Sequence, residues 1–375
     1  MTTLTAPGRL ISELPVLQQT AAAVPDLDCR LVLVAHALDT AVPYIRTLAH
    51  HLDLVELIPV PYSARRSAID RLGEVRSTVP SSIEAVGRAA TDAALRAART
   101  PGAPVVVQEV GGYCANTVGE LAREPRFTGV VEDTKQGQWR YERVPMLPVP
   151  VFTIADSPLK ALEDVQVGRS VMNSVEHLLR TRFYSLLAER RVLVLGYGGI
   201  GTALADHVRR TGARVAVHDP DEVRMSAAVV HGYRVGQREE LLGWAEVIIG
   251  VSGHRALTTA DVPFLRDGVI LASGSSKQVE FDVPGLRAAS TGTTREPDVE
   301  HLDIAGRTVH LLNEGKPVNF LDQSILGGIL DLVYSELYLC TAALATGNHA
   351  PGIHRLDVAT QQELARRWRE HYGRD

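Results

Sequence analysis

"VLVLGYGGIGTALADHVRRTGARVAVHDPD", residues 192–221, is the stretch on which the fold turns. A short apolar, β-branched run (192–195) leads straight into Gly196, Gly198, Gly199, Ile200 and Gly201, where a helical pattern begins. Glycines at this spacing permit a tight turn, close backbone approach to a pyrophosphate and close packing of helix on strand. The free N–H groups of the helix N-terminus then face the anion. A second strand pattern follows and ends at Asp219, an acid placed to accept from a ribose hydroxyl. Strand, glycines, helix, strand and acid in that order predict a dinucleotide site. The acid favours NAD over NADP because it repels a 2'-phosphate, and Arg224, five residues on, bears on that preference.

Outward from this stretch the alternation repeats. Downstream lie "VIIGVS", "GVILASG" and "TVHLLN"; upstream lie "LVLVAHA" (31–37), "LVELIPVPY" (54–62), "PVVVQEV" (104–110), "FTGVVED" (127–133) and "VPVFTIA" (149–155), with Ala-, Glu- and Arg-rich helical stretches between them. Strand alternating with helix predicts parallel sheets covered on both faces. A chain of 375 residues is too long for one compact core, so the expectation is two doubly wound α/β domains. Residues 1–165 form a substrate domain completed by about 330–350, residues 166–329 a Rossmann domain, and residues 330–375 a helical C-terminal segment. "TQQELARRWREHYGRD" in that segment reads as a charged amphipathic helix.

A formal net charge of -5 argues against a protein that tracks phosphate backbones, so no nucleic-acid partner is expected. No stretch approaches an uninterrupted membrane-spanning run, and "MTTLTAPGRLISELPVL" lacks the features of a leader, so the expected location is the cytoplasm and no membrane partner is expected. Cys29, Cys114 and Cys340 are few and far apart, which gives neither a disulfide framework nor a metal site. Only four of the 39 Lys and Arg residues are lysine. One is Lys160, in "FTIADSPLKALEDVQVG" (152–168), with Asp164 four residues on. The pair suits a surface ion pair on a helix capped near Asp156 or Ser157, with Pro158 at its first position, although Lys before Asp is the poorer order against the helix dipole. It equally suits a proton-transferring site, since a desolvated lysine can lose its proton and an arginine effectively cannot.

The blocks "VEDTKQG", "ADSPLKALEDVQVG", "GYGGIG", "EFD" after "ILASGSSKQ", and "LLNEGKPVNF" resemble the S-adenosyl-L-homocysteine hydrolases over most of residues 30–345. The resemblance implies tightly bound, recycled NAD, a homo-oligomer (dimer or tetramer) and a small nucleoside substrate, adenine-containing. It also implies a redox-assisted elimination: hydride leaves the 3' carbon, the ketone acidifies the 4' hydrogen, the 5' substituent departs, water adds and the ketone is reduced again. Lys160 and Asp164 fall on the lysine and aspartate that work on the 3'-hydroxyl. Lys160 is then expected to have a lowered pKa and to take the hydroxyl proton, with Asp164 orienting it. Asp133 falls where the family has a glutamate on the ribose hydroxyls. Thr134 matches the first of three threonines near the nicotinamide, with Lys135 and Gln136 replacing the next two. Ile200, Asp219 and Asn319 match dinucleotide contacts, and Ser252, Gly253 and Ser275 fall in loops that cross the cofactor.

The departures concentrate in the substrate half. The family's Asp-Asp-Gly-Gly-Asp run has become Glu109-Val110-Gly111-Gly112-Tyr113, and its His-Met-Thr-Val-Glu-Thr segment "AHALDTAV", which displaces His36 and leaves Asp39 in the acid's place. The Gly-His-Phe-Asp histidine is Ser276, and the Gly-His-Pro-Ser loop is "SILGG". Machinery for 3' redox chemistry persists while groups suited to exchanging water and a thiol do not. The expectation is a redox-neutral, angustmycin-type nucleoside dehydratase yielding a 4',5'-unsaturated nucleoside. The alternatives are the hydrolase proper, a simple nucleoside or sugar dehydrogenase, and a non-catalytic NAD-binding subunit.

Overall fold

The computed structural model describes residues 14–24 and 27–373. The chain divides into two compact units, Met1–Glu163 with Gly327–Asp375, and Asp164–Leu326. In the first, strands β1 (Arg30–Ala35), β2 (Asp53–Pro59), β3 (Val105–Glu109), β4 (Phe127–Glu132), β5 (Pro150–Thr153) and β13 (Gly352–His354) form one sheet, in the order β13-β5-β4-β3-β1-β2. Every pairing in it is parallel. Side chains alternate between two cores. Leu31 and Leu33 pack with the helices Pro15–Ala22, Val42–His51 and Ile329–Thr346, while Val32 and Val34 pack with Val86, Ala90 and Ala94 of the helix Ala85–Arg99. Burial on both faces is why these strands read as continuous apolar runs. The chain winds outward from β1 in both directions, so β1 and β3 flank the switch point, where carboxyl-end loops gather a site.

The second unit contains β6 (Arg191–Leu195), β7 (Arg214–His218), β8 (Val247–Gly250), β9 (Val269–Ser273), β10 (Gly292–Glu296), β11 (Val299–Ile304) and β12 (Arg307–Leu312), ordered β10-β11-β12-β9-β8-β6-β7. Strands β6 to β9 and β12 are parallel, and a lone parallel bridge between Ala216 and Arg234 marks the place of a further strand beside β7. Strands β10 and β11 add an antiparallel meander that the sequence pattern did not predict. Their alternation carries Arg295, Glu296, Glu300 and Asp303, whose charges mask the strand signal at a sheet edge.

One helix, Pro158–Arg182, begins in the first unit and continues in the second. Ser157 caps it by accepting the Leu159 N–H at 3.1 Å, with Pro158 at the first helical position. A methyl at Gly168 would lie 2.7 Å from Leu204 N, so this helix and Gly199–Arg210 meet at backbone distance. The expectation that nothing approaches a membrane span needs correcting for Ile329–Thr346, which is long and apolar enough by length and composition, with mean hydropathy 1.3. Here it serves as a core helix, 67% buried, that carries Asp331 and Glu336 on the inside.

Candidate functional site

In the first unit, the turn after β4 delivers Asp133 and the first turn of Pro158–Arg182 delivers Lys160. The lysine Nζ lies 2.8 Å from Asp133 Oδ1 and also contacts Glu163 Oε2. Burial works against the ammonium, but the Asp133 and Glu163 carboxylates outweigh it and hold its pKa above the ordinary lysine value. Two corrections follow. Lys160 is not a lowered-pKa base in this arrangement, and the acid beside it is Glu163 rather than Asp164. Consecutive helical residues point about 100° apart. Glu163 therefore faces Lys160, whereas Asp164 turns to Gly199, where its Oδ2 lies 1.9 Å from the place of a Cβ.

Around this triad stand groups that the sequence did not single out. Tyr334 stacks on Tyr44, with ring centroids 4.0 Å apart, and feels the charges of Glu163, Asp133 and Lys160. Tyr44 Oη lies 2.9 Å from Gln108 Oε1, to which Thr341 also donates. Glu336 accepts from Ser157 and Gln361 through Oε1, while its buried Oε2 has no hydrogen-bond partner among the described residues. Burial raises the Glu336 pKa against those two hydrogen bonds. Tyr334, Glu336 and Thr341 come from a helix about 170 residues beyond Lys160, which no local motif could reveal.

The other expected residues of this unit have different partners. His36 Nδ1 lies 2.7 Å from Ser63 Oγ, and Asp39 accepts from Ser67 and from Arg71. Thr134 caps the helix Lys135–Glu142 by accepting the Gly137 N–H, and donates to Glu132 at 2.7 Å. Lys135 pairs with Asp156, which Gln138 and Arg355 also hold. Beneath them Glu109 and Glu132 are register partners on β3 and β4, both fully buried. Glu132 accepts the Gly111, Gly112 and Thr134 N–H groups, and Glu109 that of Cys114. Burial, then the Glu109 charge, holds the Glu132 pKa above the usual carboxylate range despite those bonds. This pair fixes the Gly111–Gly112 turn, while Val110 packs into the core and burial holds the Tyr113 pKa above its usual value.

In the second unit the glycine turn meets each backbone demand read from the sequence. Gly196 has φ 102° and lies so close to the following loop that a Cβ would stand 2.7 Å from Ser252. At Gly201 a Cβ would stand 2.0 Å from the Gly196 carbonyl oxygen. At Gly198, by contrast, a Cβ would meet only Arg224 Nη1 at 3.9 Å, which leaves one open face on the turn. Ile200 follows in the first turn of the helix Gly199–Arg210. Asp219 accepts the Tyr197 N–H at 2.6 Å and the Asp221 N–H at 2.9 Å, and pairs with half-exposed Arg224 at 3.4 Å. Ser275 donates to the Lys277 carbonyl. Asn319 donates to Ser324, and its buried Oδ1 has no hydrogen-bond partner among the described residues. Glu280, absent from the expected set, accepts from Ser252 Oγ and the Gly253 N–H. Burial pushes it up to about 7 against these bonds. It stands in the "EFD" block noted in the sequence, where nothing local signals its burial.

An open glycine face at a helix N-terminus, an acid at the end of the next strand and an unsatisfied buried amide oxygen fit a dinucleotide, so the second unit is a dinucleotide-binding domain of the doubly wound class. The family model described as "S-adenosyl-L-homocysteine hydrolase, NAD binding domain" matches residues 169–324. The chain is thus similar to the S-adenosyl-L-homocysteine hydrolases across this unit, and the matched NAD-binding domain supports NAD as the cofactor. It is 32% identical to an adenosylhomocysteinase of Archaeoglobus fulgidus over 52% of this chain and 49% of that one. It is 29% identical to an S-inosyl-L-homocysteine hydrolase of Methanosarcina mazei over 61% and 57%. The matches thus span only about half the length of these relatives. Among solved structures, the dipicolinate synthase A chain from Bacillus subtilis is similar at 12% identity and a TM-score of 0.47, covering 86% of this chain and 99% of that one.

Proposed function

We propose that this protein is a redox-neutral nucleoside dehydratase of the cytoplasm, acting as a homo-oligomer on an adenine nucleoside. Bound NAD supplies a hydride acceptor and donor at one carbon. The chain's residues bind the sugar hydroxyls at Asp133, hold the hydroxyl proton within the Asp133–Lys160–Glu163 triad and exclude bulk water. A transient 3' ketone acidifies the 4' hydrogen, a 5' hydroxyl leaves as water, and re-reduction gives a 4',5'-unsaturated nucleoside. The observation that carries this reading is the contrast around the β3 turn. The triad pairs a lysine with two carboxyl groups, while the position of the family's second acid is Val110, buried in the core, where it can move no proton.

The names of the relatives favour a second reading, hydrolysis of an S-nucleosyl-L-homocysteine. Incubation with adenosine, S-adenosyl-L-homocysteine and adenine ketohexose nucleosides, followed by product mass, separates the two. A product lighter than its nucleoside by one water supports dehydration. Homocysteine release without such a product overturns it.

A further inference from the structure

The charge count of the triad departs from a simple lysine–acid pair. One ammonium lies between two carboxylates, and all three side chains are mostly buried: Lys160 16%, Asp133 21% and Glu163 9% exposed. With both acids ionised the cluster carries one excess negative charge. Asp133 Oδ1 is engaged by Lys160, and Asp133 is the most exposed of the three. Glu163 is the least exposed and is supplied by the same helix turn as the lysine. We infer that Glu163 is a positioning residue that keeps Lys160 charged throughout the reaction, so that the substrate hydroxyl gives its proton to the Asp133 carboxylate and Lys160 serves as the fixed cation beside the developing alkoxide.

This inference rests on the alcohol-oxidation step of the proposed function and assigns its proton. The O–H bond breaks and its proton passes to Asp133; the C–H electron pair leaves as hydride to bound NAD; the C–O bond becomes the carbonyl. Re-reduction runs the same transfers backwards. Glu163 makes the assignment workable because protonation of Asp133 takes the cluster from one negative charge to neutral, leaving a complete Lys160–Glu163 pair. Without Glu163 the same step would strand an unpaired ammonium in a mostly buried site, which is costly. Among the described residues, titratable groups that feel the triad's charges include Tyr44 from the helix Val42–His51, and Tyr334 and Glu336 from the helix Ile329–Thr346. Burial raises all three above their usual pKa, whereas Glu163 lies in direct contact with the lysine.

The test uses the full-length, NAD-loaded protein and its Glu163→Gln and Asp133→Asn variants. The first readout is competitive acetylation of Lys160 by acetic anhydride between pH 7 and 11, followed by peptide mass and needing no substrate. The wild-type amine should stay protected across the range, while Glu163→Gln should label at least ~10-fold faster at pH 10. The second is the pH profile of NAD reduction at 340 nm with nucleoside. Glu163→Gln should move its acid limb down by about one unit at unchanged NAD content. Asp133→Asn should slow NAD reduction by ~100-fold or more. Lys160 labelling identical in wild type and Glu163→Gln overturns the inference, as does a wild-type profile in that variant or near-wild-type NAD reduction by Asp133→Asn. Absence of any 340 nm change in the wild type with every nucleoside would instead count against the proposed function, leaving the acetylation result to decide the role of Glu163.

Discussion

Alanine at position 198 probes the glycine turn without disturbing the structure around it. Gly198 has φ -78° and ψ -160°, a conformation open to alanine, and its Cβ would find nothing nearer than Arg224 Nη1 at 3.9 Å. The native state should therefore accept the methyl. Restricting the unfolded chain favours the variant by about 0.4–1 kcal/mol. The preference of a helix N-cap for glycine over alanine offsets this, so the apo stability should stay within about 1 kcal/mol of wild type. The methyl does, however, fill the face of the turn that a pyrophosphate approaches. Loss of that close approach should weaken NAD by tenfold or more, about 1.4 kcal/mol at least. Thermal melts of NAD-stripped protein and calorimetric titration with NAD measure the two effects separately. An unchanged NAD affinity in a normally folded variant would refute the placement of the pyrophosphate against Gly198.

Gly201→Ala should behave oppositely: its methyl would stand 2.0 Å from the Gly196 carbonyl, so the apo protein itself should lose about 1–3 kcal/mol in denaturant melts. Lys160→Ala should abolish NAD reduction by nucleoside yet leave NAD bound, read by 340 nm absorbance and by the cofactor released on denaturation, because its partners lie in the first unit. Glu280 should give the second unit a pH-dependent stability. Its folded pKa, about 7, exceeds the ordinary value of 4.5, so between those values the native state binds more protons than the unfolded one. Stability then falls as pH rises through this window, by up to about 3 kcal/mol. Glu280→Gln should flatten that slope in melts from pH 5 to 8.

The parts of the fold that were legible in sequence are those in which backbone geometry dictates residue type. Gly196 and Gly201 stand where nothing larger fits, and β3 and β6 are apolar along their length because both faces are covered. Asp219 was legible because it ends a strand at a fixed distance beyond those glycines. What escaped detection depends on distance in sequence or on burial of charge. Strands β10 and β11 carry edge charges, and Glu336 reaches the triad from another end of the chain. Glu132 and Glu280 look like ordinary surface acids until burial and backbone N–H bonds reveal them. The Lys160–Asp164 pairing failed for a helical reason. Positions i+3 and i+4 both lie near a given residue, and spacing alone does not say which acid the lysine takes.

The central claim is that the triad and NAD perform an oxidation that is reversed within the same turnover. Mixing NAD-loaded protein with one equivalent of an adenine ketohexose nucleoside, and following 340 nm absorbance together with product mass, tests it most directly. The account predicts an absorbance that rises and returns to baseline as a product lighter by one water appears. A stoichiometric rise that persists, with an oxidised nucleoside as the product, would contradict it.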